Sequence, residues 1–123
     1  MEPVGDREGH AVQVAHGTCR LVGGPLDGGV MATNTIWEHD KGAATALSGS
    51  GVIRKPGAMA AYRLSSGTFA FVMKDGKVAG WTASGKAMYT MATGTAAALA
   101  GKSFSWTAQP TGASEYVIES VLD

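Results

Sequence analysis

The chain has 123 residues, enough for one domain with a single hydrophobic core. Ten basic and ten acidic residues give zero net charge, and neither sign forms a block. We therefore expect no nucleic-acid groove and no basic membrane patch. Charged residues make up 16% of the chain, against roughly 25% in ordinary soluble domains. This composition predicts a small-residue-rich β domain with a thin core and a weakly charged surface, which gains stability by packing against partners.

A single cysteine, Cys19, excludes a disulfide within the chain and a CxxC metal or redox site. Its thiol is expected to be buried and inert. No apolar run approaches the ~20 residues of a membrane span. The polar N-terminal segment lacks the apolar core of a secretion signal, so we expect no export by that route.

The first nine residues read as an arm, because Pro3, Gly5 and Gly9 interrupt any regular pattern. It is either a frayed terminus or an arm that docks on a neighbouring subunit. Residues 10–123 are predicted to form a single β domain, and an alternating pattern begins at His10.

The sharpest local feature is the run Gly-Gly-Pro-Leu-Asp-Gly-Gly at residues 23–29. Pro25 fixes φ for a turn, Asp27 can bond its own following backbone, and the glycines of the run, among them Gly24 and Gly28, supply positive φ. The run lacks the Gly-Lys-Ser/Thr ending of a P-loop and the G-x-G-x-x-G of a dinucleotide site. A tight connection between two strands is the better interpretation.

A second strand is predicted over residues 30–37, where side chains alternate between two faces. Residues 42–51 are almost all small and are predicted to form an exposed loop that orders against a partner. A short edge strand follows at residues 52–54.

The centre of the chain predicts a three-stranded meander. Residues 59–64 form its first strand, Ser65-Ser66-Gly67 breaks the pattern, and residues 68–73 form the second strand. Asp75 and Gly76 predict a type I′ turn into a third strand that contains Trp81, since such a turn needs positive φ at both central residues. The predicted core residues are aromatic: Phe69, Phe71, Trp81, Phe104 and Trp106.

Turn signals recur about every nine residues after Gly57, the spacing typical of a sandwich or barrel. One helical turn or two is predicted at residues 95–101, and a last strand at residues 115–122. The predicted fold is all-β: a small sandwich or open barrel of seven to nine mostly antiparallel strands, with at most one short helix.

Candidate chemistry is sparse. Glu38, His39 and Asp40 are metal-capable, but neighbours on a strand point to opposite faces, so surface polarity is the better interpretation. The serines lack a strand-turn-helix elbow, and nothing in the sequence pairs two carboxylates. Five aromatic side chains could stack sugars or bases, although core packing is their ordinary role: Trp37, Tyr62, Trp81, Tyr89 and Trp106. No catalytic residue, cofactor or metal ligand is therefore predicted, and the chain is not expected to be an enzyme.

Residues 21–28, Leu-Val-Gly-Gly-Pro-Leu-Asp-Gly, resemble the opening of a loose group of small proteins encoded by phages and prophages. A Tyr-Arg strand at residues 61–64 and an aromatic strand at residues 69–72 continue the resemblance. The Ala/Gly/Thr-rich second half is similar in composition to small capsid-decorating proteins of tailed phages. The long segment 42–51 and the strands after Trp81 depart from that group. The resemblance implies a virion accessory protein or a phage-encoded interaction protein.

The function expected from these features is that of a non-enzymatic structural protein of a phage particle, a capsid decoration, cement or minor virion protein. Its partners would be capsid or other virion subunits, in an oligomer, with no nucleic acid and no membrane. Its location would be the virion, after synthesis in the host cytoplasm. Two alternatives remain: a phage protein that binds and inhibits a host factor, and a small ligand-binding β-barrel whose aromatic side chains line a pocket.

Overall fold

A computed structural model describes residues 1–112 and 115–123 of the chain. Within these described residues, eight β-strands and one 3-10 turn make up the fold. The strands are β1 (Glu2–Pro3), β2 (His10–Val22), β3 (Val30–Asp40), β4 (Ala43–Lys55), β5 (Ala58–Lys74), β6 (Lys77–Gly94), β7 (Ser103–Gly112) and β8 (Glu115–Leu122), and the 3-10 turn is Ala97–Leu99. Within these described ranges, no helix is long and apolar enough to cross a membrane.

The eight strands form one sheet, in which each strand pairs antiparallel with its neighbour in sequence. A short parallel pairing between β2 and β8, from Arg20 opposite Val117 to Val22 opposite Glu119, joins the two sides of the sheet. The sheet therefore closes into a barrel-like fold. The predicted all-β class, with eight mostly antiparallel strands and one short helical turn, is confirmed.

The two ends of this sheet differ. At the lower end, where β2 finishes and β3 begins, Leu26 of the 23–29 turn and Leu99 of the 3-10 turn are buried. Asp27 shapes the first of these turns, although its Oδ1 accepts a hydrogen bond from the preceding Gly23 N–H at 2.8 Å and not from the backbone that follows. The turn also has positive φ at Gly24 and Gly28, as predicted. Buried leucines thus cover the lower end of the interior.

The most tightly packed part of the core lies next to this lower end. Phe104 of β7 is 1% exposed and stacks on Tyr89 of β6, with ring centroids 4.5 Å apart. Tyr62 of β5 meets the same phenylalanine edge-on at 6.0 Å. Leu21 and Ile53 complete this layer with no exposed surface. The thin core is therefore concentrated in one half of the fold.

The predicted loop at residues 42–51 is wrong, because strand β4 covers Ala43–Lys55. Large side chains of the neighbouring strand β5 pack directly against the small residues of β4. A Cβ added to Gly49 would lie 2.5 Å from Leu64 Cδ1, and one added to Gly51 would lie 2.6 Å from Tyr62 Cε1. Small residues that resemble a loop in the sequence are here required by packing across strands.

The predicted break at Ser65-Ser66-Gly67 is also wrong, because β5 runs without interruption over Ala58–Lys74. The register against β6 shifts between Leu64 and Ser66, which is the mark of a β-bulge. The bulge lets one long strand bend where the sequence pattern suggested two short ones. The predicted helix over residues 95–101 shortens to the 3-10 turn Ala97–Leu99.

The turn between β5 and β6 has the predicted conformation, with φ of 53° at Asp75 and 75° at Gly76. Gly76→Val is expected to lower the free energy of unfolding by about 1 kcal/mol or more, since a β-branched residue is poorly tolerated at positive φ. Thermal and urea unfolding would measure the change. Asp75→Asn is the control, because asparagine accepts this conformation, and an unchanged stability of Gly76→Val would contradict the turn type.

Candidate ligand-binding cavity

The upper half of the interior contains a cavity of about 340 Å³. Eight aromatic side chains line it, contributed by β3, β5, β6, β7 and β8. These are Trp37, Tyr62, Phe69, Phe71, Trp81, Phe104, Trp106 and Tyr116. Among the described residues that line this cavity there is no Asp, Glu, Lys or Arg. The wall is therefore apolar, with aromatic rings on several sides.

Strand alternation explains why these rings converge, since every second side chain of a strand points to the same face. Phe69 and Phe71 are two apart on β5, and their rings meet edge-on at 5.1 Å. Trp81 of β6 lies opposite Phe71 in the register and stacks on Phe69 at 5.6 Å with an interplanar angle of 23°. Trp37 of β3 approaches Phe69 at 6.0 Å. The ring of Phe69 is thus the centre of the aromatic wall.

Small residues among these rings leave the space open. Ala15, Ala83 and Ala108 line the cavity from β2, β6 and β7. Gly17 makes room for Tyr116, because a Cβ there would lie 2.8 Å from the tyrosine hydroxyl. The cavity therefore results from inward-facing alanine and glycine positions among large aromatic ones.

Two polar pairs interrupt the apolar wall. His39 of β3 is 5% exposed, and its Nε2 lies 2.7 Å from Oε1 of Gln13 on β2. Burial lowers the pKa of His39, and the positive N-terminal amino group lowers it further. Deeper in, the hydroxyl groups of Thr33 and Tyr116 are 3.2 Å apart. The cavity thus offers neutral hydrogen-bonding groups at two depths.

The cavity opens towards the upper end, beside the N-terminal arm. Phe71 lines it while 38% exposed, and Met1 lines it while 66% exposed. Strand β1 of the arm pairs with β2, Glu2 opposite Val12 and Pro3 opposite Ala11. The first residues therefore lie along the rim of the opening.

Ion pairs hold the rest of the arm to the outside of the sheet. Arg7 donates to Asp40 Oδ2 at 2.6 Å. His10 lies between two carboxylates, with Nδ1 2.6 Å from Asp6 Oδ1 and Nε2 2.8 Å from Glu38 Oε2. Glu38 and Asp6 together raise the pKa of His10.

We expect His10 and His39 to titrate on opposite sides of the ordinary value of about 6.5. The raised pKa of His10 means that its ion pairs stabilise the fold below about pH 6.5 and are lost as the pH rises through the folded-state value. The lowered pKa of His39 has the opposite effect, because the unfolded chain binds that proton first as the pH falls below about 6.5. NMR titration of the imidazole Cε1 protons checks both, and two midpoints near 6.5 would contradict these environments.

The structure separates the three adjacent candidates for metal binding. His39 is buried and lines the cavity, whereas the carboxylates of Glu38 and Asp40 bind His10 and Arg7. In the described part of the chain no group of three His, Cys, Asp or Glu side chains is placed to hold a metal ion.

The predicted core residues divide into three groups. Phe104 and Trp106 are buried, at 1% and 8% exposure, and Phe69 and Trp81 are half-buried against the core. The prediction that Phe71 is buried is wrong, because it is 38% exposed. It faces inward with Phe69, as its position in the strand predicts, but it lies at the open end of the sheet.

Sequence reasoning missed the polar members of this site. Gln13 lies on a predicted strand with nothing in the sequence to distinguish it, and Tyr116 was placed only on the last strand. One pattern in the sequence could have indicated Gln13. It shares a face of its strand with Ala15 and Gly17, and a single amide on a face of small residues is unusual.

Comparison of the chain with protein-family models, with curated proteins and with solved structures gave no significant match. The resemblance to phage proteins therefore stays a prediction.

Proposed function

We propose that the protein binds a small, neutral, largely apolar molecule inside its sheet. The observation that carries this proposal is the cavity of about 340 Å³ with its aromatic wall and no charged side chain among its described lining residues. Ligand sites are typically concave, mostly apolar, and roughly 300–1,000 Å³ in volume. The proposal is one of binding, and the expectation that the chain is not an enzyme stays a prediction.

The size of the cavity limits the size of the ligand. An apolar cavity of about 150 Å³ can hold one benzene molecule. A volume of about 340 Å³ therefore suits a compound of about two rings. An ionised ligand would lose its hydration in an apolar space whose described lining has no charged side chain to pair with it, which is strongly unfavourable.

The expected role in a phage particle stays a prediction, but the cavity favours the ligand-binding alternative. A protein that works only through its outer surface gains stability by filling its interior, since the lining of a void loses packing contacts. Here Ala15, Ala83 and Ala108 keep the space open although larger apolar residues would close it. A bound molecule would restore the packing contacts that this open space lacks.

Titration with 1-naphthylamine tests the proposal, because this two-ring compound is neutral at pH 7 and its fluorescence responds to an apolar environment. We expect saturable binding of one molecule per chain, with a Kd between about 1 and 100 μM. Ala83→Leu should weaken binding about tenfold or more, because Ala83 lines the cavity and is 7% exposed.

Ala70→Leu is the matched control, since Ala70 is exposed on the neighbouring strand β5. It should leave the Kd unchanged. Melting temperatures of both variants establish that they are folded. Binding without saturation, or an equal loss in the two variants, would overturn the proposal.

A further inference from the structure

We infer that the Gln13–His39 pair recognises a hydrogen-bonding group on a neutral two-ring aromatic ligand, so that the ligand is a hydroxylated or carbonyl-bearing ring compound and not a plain hydrocarbon. This inference rests on the proposed function and names the chemistry of its ligand. Both residues line the cavity, and their side chains lie 2.7 Å apart.

The pair is neutral and retains unused hydrogen-bonding capacity. Burial keeps the imidazole of His39 uncharged near pH 7, and a neutral imidazole has one N–H donor and one acceptor nitrogen. Because Gln13 Oε1 only accepts, Nε2 of His39 is the donor in their bond. This leaves Nδ1 of His39 as an acceptor and the amide NH₂ of Gln13 as a donor. A hydroxyl group can donate to the first, and a hydroxyl or carbonyl oxygen can accept from the second.

Aromatic rings continue the site from this polar pair. The ring of His39 meets Phe69 nearly edge-on at 5.8 Å and 68°, and Phe69 stacks on Trp81. A flat ligand that places its polar group at His39 therefore lies with its rings along Phe69 and Trp81. Offset-stacked and edge-to-face contacts of this kind favour aromatic guests beyond the gain from area burial.

The ligand is expected to be neutral because the charged side chains near the cavity are paired with one another outside its lining. Asp6, Arg7, Glu38 and Asp40 are engaged with one another and with His10, outside the cavity lining. The N-terminal amino group belongs to Met1, which is 66% exposed at the rim. None of the described side chains lining the cavity offers a counter-charge to an ionised ligand.

Calorimetric titrations with naphthalene, 2-naphthol and 2-naphthoate at pH 7 test the inference. We expect 2-naphthol to bind about five- to tenfold more tightly than naphthalene, the factor given by one net hydrogen bond. The ionised 2-naphthoate should bind at least tenfold more weakly than 2-naphthol. The double variant Gln13→Leu/His39→Leu, which removes both the donor and the acceptor of the pair, should remove the preference for 2-naphthol over naphthalene while naphthalene still binds.

Thr35→Val is the matched control, because Thr35 lines the same cavity on β3 and valine keeps its shape. It should preserve the preference for 2-naphthol. Equal binding of naphthalene and 2-naphthol to the unaltered protein would overturn this inference and leave the proposed function standing, and so would a preference that persists in the double variant Gln13→Leu/His39→Leu. Tight binding of 2-naphthoate would overturn the neutrality of the ligand. Absence of binding by all three compounds would overturn the proposed function itself.

Discussion

Phe104→Ala is expected to lower the free energy of unfolding by about 3–5 kcal/mol, a large part of the 5–15 kcal/mol typical of a folded domain. Phe104 is 1% exposed, stacks on Tyr89 at 4.5 Å and meets Tyr62 at 6.0 Å. Alanine would remove these contacts and leave a void that the surrounding strands cannot fill, since their backbones are tied by ladder hydrogen bonds. The lost packing contacts belong to the lower half of the core, where β2 and β8 pair and close the sheet.

Urea unfolding would measure this loss, and Phe71→Ala is the matched control. Phe71 is 38% exposed at the open end, so its truncation creates no enclosed void and should cost much less than Phe104→Ala. Two equal losses would mean that the core extends to the upper end of the sheet and that the cavity is closed there.

Gly51→Ala is expected to destabilise the protein by about 2 kcal/mol or more, the upper part of the range for overpacked cores. The added methyl group would lie 2.6 Å from Tyr62 Cε1 and would also collide with the carbonyl oxygen of Ala32. Tyr62 is 5% exposed and is packed against Phe104, so it cannot move aside without disturbing the core.

Melting curves of Gly51→Ala and Ser48→Ala would check this explanation. Ser48 is exposed on the same strand, β4, and its truncation should have little effect. A Gly51→Ala variant as stable as the unaltered protein would show that β4 does not lie directly beneath Tyr62.

The fold class could be predicted because the alternation of side chains between two faces is visible within a single strand. Residues 30–37 and 103–107 alternate between two faces, and the Asp75-Gly76 turn has a conformation that few other residue pairs accept. Strand lengths could not be predicted, because β-bulges carry β5 through Ser65-Ser66-Gly67. The sequence of residues 42–51 resembles a loop because its glycines have no local explanation. Gly49 and Gly51 are required by Leu64 and Tyr62 on the next strand, which local sequence does not reveal.

The cavity could not be predicted from local pattern, because a cavity is defined by the balance of large and small side chains on opposite walls. Phe69 and Trp81 read as ordinary core residues, and they do pack against the core. Only the closed sheet shows that Ala15 and Ala108 line the same open space as these rings.

Intermolecular nuclear Overhauser effects between bound 2-naphthol and the protein test the central claim most directly. We expect cross-peaks from the ligand protons to the rings of Phe69 and Trp81 and to the methyl group of Ala83, which lie next to one another on the cavity wall. Cross-peaks only to outer side chains such as Val14 and Met91, which are 57% and 60% exposed, would contradict a ligand site in the interior.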